Sequence, residues 1–520
     1  LAAAVGGTLS TTTTATTAAQ QEPCLACHTG VTPGIVEGWK LSKHSEVGVG
    51  CLACHQALEG DPSAFEHNGF TITAVVSPNY CAQCHAEEVE ENLKSKHAFA
   101  AVNGPLKPYY KQAKAQGLDP FSQETAKQLD PVEIARRAVT PLFPDSGILK
   151  KIGLLDDPDY DHENVYMTGC MQCHGTFVVV EEGGKLRGWP NNGVGRINPD
   201  GSLGSCAACH TRHTFSVAEA RKPETCGQCH LGPDHPQMEI YLESKHGNIY
   251  EAQGENWNWE AEDWGPDDIV APTCATCHMS GFGGAVETTH DVGSRLKWEI
   301  QAKDVMFQSR ESNLAEYGFV PDGQLAQQNR ERMLKVCTQC HSPEWAEGYL
   351  ASYERVLGDY QKVWDYTKGL LQQAYAEGLI SKDNPIDEQA EIKAYLIWHH
   401  DGRRWRMGAS MMGPDYTQWH GAVNTIMDQL GAMIDWIETQ RKLKELGALA
   451  AELDLPTPTT TATVAQLSPE AVWEAAVETE PAVTAAGVAP ASLGGWLALG
   501  LGLLAFAFGA TLFLLRRRRV

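Results

Sequence analysis

Between residues 346 and 448, apolar positions recur at three- and four-residue steps. The segments GDYQKVWDYTKGLLQQAYAEGLI, DEQAEIKAYLIWHHDGRRWRMGASMM and DYTQWHGAVNTIMDQLGAMIDWIETQRKLKEL all follow this pattern, which predicts long helices. The stretch GLISKDNP, ending at Pro385, and the pair Gly413-Pro414 separate them. Helices of this length suit packing between subunits. Residues 86–169 read differently. Pro105, Pro108, Pro120, Pro131, Pro141, Pro144 and Pro158 interrupt them and predict short helices and loops. Near the end, Leu493–Leu515 is 23 residues without a charge. As a helix it spans about 34 Å, against a hydrocarbon core of about 30 Å. Trp496 suits one interface, and Arg516–Arg519 form a basic stop on the cytoplasmic side. The pattern predicts a transmembrane anchor with a cytoplasmic Arg tail over 492–520; a buried core helix is the alternative.

The 16 cysteines change the picture most. Every one lies in a Cys-x-x-Cys-His string, and there are eight strings. They are Cys24, Cys27, His28; Cys51, Cys54, His55; Cys81, Cys84, His85; and Cys170, Cys173, His174. The other four are Cys206, Cys209, His210; Cys226, Cys229, His230; Cys274, Cys277, His278; and Cys337, Cys340, His341. This is the attachment spacing of c-type haem. Two thiols bond the vinyl groups and the adjacent histidine supplies the proximal imidazole. Zinc ribbons do not need a histidine after each pair, and thioredoxin-like sites use a single pair. The expectation is eight covalently bound haems (iron), attached outside the cytoplasm. The 65 acidic residues outnumber the 41 basic ones, for a net charge of −24. No basic patch argues for nucleic acid.

The expected fold class is therefore mostly α: a multihaem cytochrome c fold with a C-terminal long-helix region and a single C-terminal transmembrane helix. The expected divisions are a low-complexity leader or signal remnant (1–21), a three-haem region with a helical connector (22–165) and a five-haem catalytic region (166–345). A long-helix region (346–448), a flexible linker rich in Ala, Thr, Pro and Glu (449–491) and the anchor (492–520) follow. The expected location is periplasmic or extracytoplasmic, tethered to the cytoplasmic membrane.

Nineteen histidines less the eight proximal ones leave eleven: His44, His67, His97, His162, His213, His235, His246, His290, His399, His400 and His420. His44, His97 and His246 share the string Ser-Lys-His, which points to one common job, distal ligation. We assign His44, His97, His213, His246 and His290 as distal ligands. Eleven spare imidazoles could serve all eight haems, so the count alone does not establish an open iron. Two strings carry other chemistry. HLGPDHPQ sets Asp234 beside His235, a carboxylate and an imidazole able to accept protons from a bound substrate. The alternative is a Gly-Pro turn whose Asp caps a helix and whose His ligates a haem. GPDYTQWHG holds Tyr416, Trp419 and His420; Tyr416 alone would be an ordinary core residue. The cluster Arg403, Arg404 and Arg406 around Trp405 fits either haem propionates or a solvated basic face.

Taken together, the eight strings, GPDHPQ, SKHG, CHMSG and PDYTQWHG resemble the octahaem hydroxylamine oxidoreductase family over residues 22–445. The resemblance implies a largely helical homotrimer with seven bis-histidine haems and one open, catalytic haem. By motif order that haem is the fourth, on Cys170, Cys173 and His174. Asp234 and His235 match the family's distal acid–base pair. Tyr416 matches the tyrosine that cross-links to the catalytic haem of a neighbouring subunit, a feature of the oxidising members. The implied reaction is oxidation of hydroxylamine to nitric oxide or nitrite, with electrons passed to a c-type cytochrome or a quinone pathway. Hydrazine oxidation, octahaem nitrite reduction and a non-catalytic, membrane-tethered electron conduit are the rival readings.

Overall fold

The computed structural model describes residues 22–139, 166–298, 323–381 and 386–452. The chain divides into two compact units, Leu1–Lys444 and Glu445–Val520. Of the second, only the end of one helix, up to Glu452, is among the described residues.

The first half is built of short elements because the sequence is broken every few residues. It opens with helices α1 (Glu22–Val31) and α2 (Pro33–Lys40). Strands β1 (Phe65–His67) and β2 (Phe70–Ile72) form an antiparallel hairpin that pairs Phe65 with Ile72 and His67 with Phe70. Its turn is Asn68-Gly69, both at positive φ (50° and 84°), the backbone that a two-residue hairpin loop demands. A second hairpin joins β3 (Val179–Val180) to β4 (Leu186–Arg187). Helix α3 (Lys107–Ala115) buries Tyr109, Tyr110 and Ala113. These meet Leu106, Tyr166, Met171, Phe177 and Ile197 in a core beside the fourth haem motif. Among the described residues, strands are confined to these two hairpins, and the fold is mostly helical.

The second half holds the long helices. Helix α4 (Gln237–Glu243) follows the sixth haem motif. Helix α5 (Pro343–Ala376) starts at Ser342, whose hydroxyl accepts the Trp345 N–H, with proline at its first position. It buries Ala346, Leu350, Tyr353, Leu357 and Tyr360 at alternating steps of four and three. That is a single apolar stripe along one face. The helix ends before Gly378, which takes a left-handed φ of 64°.

Two departures from the expected helices matter for the site. The second segment does not form one helix. It breaks at His400 (φ −114°, ψ −81°) into α6 (Gln389–His399) and α7 (Asp401–Met411). Gly402 permits the tight join: a Cβ there would lie 1.9 Å from the Ile397 carbonyl oxygen. The third segment begins as a turn of helix over Pro414–Thr417, widens into a π-helix over Gln418–Leu430, and continues as α8 (Gly431–Glu452).

The expected transmembrane helix, and the membrane tether inferred from it, are corrected. No described helix is long and apolar enough to cross a membrane. The long helices carry charge throughout. Helix α5 includes Glu344, Glu347, Glu354, Arg355, Asp359, Lys362, Asp365 and Lys368, and α8 includes Asp435, Glu438, Arg441, Lys442 and Lys444. Residues 493–515 themselves lie outside the described residues, as do 1–21 and the linker from 453 onward.

Candidate haem sites and an acid–base cluster

Most Cys-x-x-Cys-His strings fold as a turn of helix, which brings cysteines three apart onto one side. Cys51–His55 and Cys274–His278 are examples; the second is held by a reciprocal Thr273–Thr276 capping box. Whether the residues fit a haem can be tested on the histidines. Two imidazoles on opposite sides of one metal, each bonded at about 2 Å, place their ring centres about 6 Å apart. Six motif histidines face a spare imidazole at this separation, and His230 faces two, because His235 also lies 6.0 Å from it, ring centre to ring centre. The pairs are His28–His67 (6.0 Å), His85–His44 (6.2 Å), His55–His213 (6.2 Å), His230–His97 (6.0 Å), His210–His290 (6.4 Å) and His341–His246 (6.2 Å). Each of the five histidines assigned as distal thus stands across from a motif histidine. The sequence reading missed His67. An Asn-Gly turn announces its hairpin, but nothing in the local string announces that His67 faces His28.

Hydrogen bonds at Nδ1 set ring orientation and leave Nε2 for a metal. His28 Nδ1 pairs with Thr32 Oγ1 (2.8 Å), and His55 Nδ1 donates to the Thr73 carbonyl (2.9 Å). His174 Nδ1 donates to the Ala100 carbonyl (3.2 Å). Among the described residues, His174 and His278 face no imidazole at the paired separation; His162 lies outside the described residues. Thiols of different motifs adjoin: Cys51 with Cys24, Cys54 with Cys84, Cys81 with Cys206, Cys209 with Cys226, Cys226 with Cys274, Cys229 with Cys173, and Cys277 with Cys337. The attachment sites are therefore contiguous, branching at the sixth motif towards the fourth and the seventh.

The groups beside His174 are of another kind. Asp234 lies in the turn ahead of α4. One oxygen, Oδ2, accepts from the Arg403 guanidinium at 2.8 Å. The other, Oδ1, faces His399 Nδ1 at 2.8 Å, off the hydrogen-bond direction, and His400 Nδ1 at 3.4 Å. His235 Nδ1 is 4.0 Å from Oδ2. The break between α6 and α7 is what aims two successive histidines and Arg403 at one carboxylate. Burial raises the Asp234 pKa. The His399 contact and the Arg403 charge outweigh it and hold the group well below the usual carboxylate range. Burial pushes His235 down, with Asp234 opposing, and pushes His400 down to about 4. The ligand atoms of Asp234, His399 and His400 all lie within 4.8 Å of one another. The spacing is that of polar contacts, however, and Arg403 already neutralises the carboxylate. His399, His400 and the role of Arg403 were not legible in the sequence, because the link to Asp234 spans more than 160 residues.

The three arginines of α7 do not form a solvated face. Arg403 is 1% exposed. Arg404 Nε donates to the Pro233 carbonyl at 2.6 Å, and its NH1 pairs with Asp401. Arg406 is fully buried with its guanidinium 4.1 Å from the Tyr360 ring centre. Together they clamp the 233–234 turn and the α5–α7 packing. Tyr416 is elsewhere in its own chain. Glu243 accepts the Asp415 N–H at 2.5 Å, and Asp415 in turn contacts His420 at 2.5 Å. Gly408 and Gly421 let α7 and this segment approach closely: a Cβ on either would meet the Tyr416–Thr417 backbone within 2.5 Å. Trp419 beside it is 60% exposed.

A family model described as "Seven times multi-haem cytochrome CxxCH" matches residues 195–385, and one described as "Cytochrome c554 and c-prime" matches residues 6–56. The chain is 27% identical over 374 residues to a "Probable nitrite reductase-hydroxylamine oxidoreductase fusion protein" of Kuenenia stuttgartiensis. The match covers 69% of this chain but only 38% of that protein, so the chain spans well under half the length of this relative. Among solved structures, a "Hypothetical multiheme protein" is 28% identical with a TM-score of 0.63, covering 84% of this chain and 97% of that one. A reducing HAO-like protein complex of Kuenenia stuttgartiensis, 20% identical with a TM-score of 0.55 over 82% of this chain and 86% of that one, shares the fold. These matches make the chain a haem-based redox protein with covalently attached c-type haems, a multihaem c-type cytochrome similar in sequence to a hydroxylamine oxidoreductase fusion protein and in fold to an HAO-like complex.

Proposed function

We propose that this protein is an octahaem c-type oxidoreductase that oxidises hydroxylamine at the fourth motif. The observation that carries the reading is the carboxylate–imidazole–guanidinium cluster of Asp234, His235 and Arg403 beside His174. The other motif histidines with an assigned partner face an imidazole. A haem on Cys170, Cys173 and His174 supplies, when bound, an iron that can hold the substrate nitrogen and take up its electrons. The chain's own groups handle protons and position. Arg403 fixes Asp234 in its ionised form, ready to accept a hydrogen bond from a substrate N–H or O–H. Burial favours the neutral form of His235, with Asp234 opposing, so the ring keeps an unprotonated nitrogen that can accept a hydrogen bond from the substrate. The six facing histidine pairs hold six of the remaining haems as carriers, and the neighbouring motifs give electrons a path to a c-type cytochrome acceptor.

The reading includes a homotrimer in which Tyr416 bonds to the fourth-motif haem of a neighbouring subunit. Its place outside the Asp234 cluster of its own chain, next to exposed Trp419, supports this. A haem-stained denaturing gel of the boiled, reduced holoprotein tests it. A band at trimer mass is expected, since no cysteine lies outside the haem motifs. A monomer band removes the cross-link and moves the chain towards reduction. That second reading, nitrite reduction at the same site, draws on the double name of the Kuenenia relative. Steady-state rates decide the direction: hydroxylamine or hydrazine with an oxidised cytochrome against nitrite with a reduced donor. A protein inactive with all three is a conduit.

A further inference from the structure

The two oxygens of Asp234 do not have the same surroundings. Oδ2 is capped by Arg403, which is almost wholly buried. A guanidinium donates only and does not give up its proton, so no proton leaves Asp234 on that side. Oδ1 faces imidazoles, which both accept and donate. His399 Nδ1 is the nearer at 2.8 Å, against 3.4 Å for His400. Its ring is stacked flat on Tyr395, with centres 4.9 Å apart and planes 14° apart, and it touches Trp398 and His400 at the edges. That packing fixes its direction, while 23% of the side chain stays exposed.

Resting on the reading of Asp234 as the substrate-facing acid–base group, we propose that His399 is a positioning residue that acts through Asp234 and conducts its protons to solvent. A proton taken up on Asp234 Oδ1 passes to His399 Nδ1 across the 2.8 Å between them, once a small rotation brings the two atoms into hydrogen-bond alignment. The imidazolium loses its Nε2 proton to water, and the carboxylate is restored; no electrons move. The charged and titratable groups facing His399 are Asp234 from the turn before α4 and Tyr395 and His400 from α6 and its end; His235 and Arg403 meet the same carboxylate from its Oδ2 side. His400, pushed down by burial, is the poorer carrier of the two.

The test is His399→Gln in the full-chain holoprotein, with His399→Asn as a second variant that keeps a polar group near Nδ1. Both should retain wild-type haem content and the high-spin ferric signal. Turnover should fall by about tenfold to a hundredfold, the scale of one proton-transfer partner, with KM unchanged. Small imidazole in the medium should restore the rate. A wild-type rate in both variants, or a loss that imidazole does not restore, overturns the proposal. Asp234→Asn separates the two levels. If it turns over at the wild-type rate, the parent reading fails; if it is inactive while both His399 variants run normally, only the relay fails.

Discussion

The sites on His230 and His174 share a border, since Cys229 and Cys173 touch, yet they differ in what stands opposite the motif histidine. His230 faces His97 at 6.0 Å and, on the side of the Asp234 turn, His235 at 6.0 Å. Burial, helped by their mutual charge, pushes His97 down to about 4, and burial likewise pushes His230 down to about 4. Two neutral imidazoles face each other in a dry setting, which suits a filled coordination sphere. His174 is also pushed down by burial, but its surroundings include Asp234, an ionised carboxylate backed by a guanidinium. The same Cys-x-x-Cys-His pattern, in neighbouring places, is therefore surrounded either by further imidazoles or by a carboxylate–guanidinium pair. The haem motif settles where a cofactor attaches. On the function proposed above, the groups across from it decide whether that cofactor carries electrons or meets a substrate.

The comparison breaks most sharply at Asp234. Asp234→Asn keeps the shape and removes the charge that Arg403 and the imidazoles converge on. Turnover should fall by roughly a hundredfold or more, as loss of a general acid–base group does, with haem content unchanged. An unaffected rate would remove the proton role. His97→Gly attacks the other side. It should open the site on His230, adding a second high-spin ferric signal to the spectrum while the Asp234 cluster stays intact. Turnover should drop by less than in Asp234→Asn, because only a carrier is altered. A spectrum identical to wild type would mean that His97 is not the partner of His230. Gly104→Ala sharpens the view of His174. A Cβ there would sit 2.8 Å from His174 Nδ1 and 3.1 Å from the Ala100 carbonyl that orients it. Overpacking of this kind costs about 1–3 kcal/mol. Thermal melting should show a lower midpoint, and an unchanged midpoint would mean that the ring yields without cost.

The attachment sites were legible because they are local: five residues carry the whole signal. The long helix α5 was legible for a similar reason, since its buried positions repeat at steps of four and three. The break at His400 was not. The segment around it has unbroken helical periodicity, and the turn depends on how closely Gly402 approaches Ile397. The Asp234–His235 pair stood out as a string, but its partners could not. Arg403 and His399 reach Asp234 across 169 and 165 residues, and only the packing of α7 against the turn before α4 joins them. The charge-free stretch near the C-terminus gave the strongest apolar pattern in the chain and led to a membrane helix, whereas the described helices of comparable length pair their apolar stripe with a charged face.

The smallest effect is on stability, and it isolates the side of the cluster away from Arg403. His400 has its pKa lowered from 6.5 to about 4, chiefly by burial, with Asp234 opposing and His399 and Arg403 assisting. Above pH 6.5 neither the native nor the unfolded chain carries a proton there, and the group contributes nothing. Between 6.5 and about 4 the unfolded chain binds a proton that the native chain refuses, so stability falls as the pH falls. Below about 4 the native state is protonated too, and the loss levels off. Asp234 acts in a separate window. Its lowered pKa favours the native state above 3.8, and that contribution is lost only as the pH drops further. His400→Gln should therefore flatten the wild-type decline in thermal midpoint between pH 6.5 and 4 while leaving the fall at lower pH. Other buried histidines contribute equally to both proteins, so the difference between the two curves reports His400 alone. Parallel curves across that window would show that His400 takes up its proton in the native state as readily as in the unfolded one, and that the Oδ1 side of Asp234 is wetter than its packing against α6 and α7 implies.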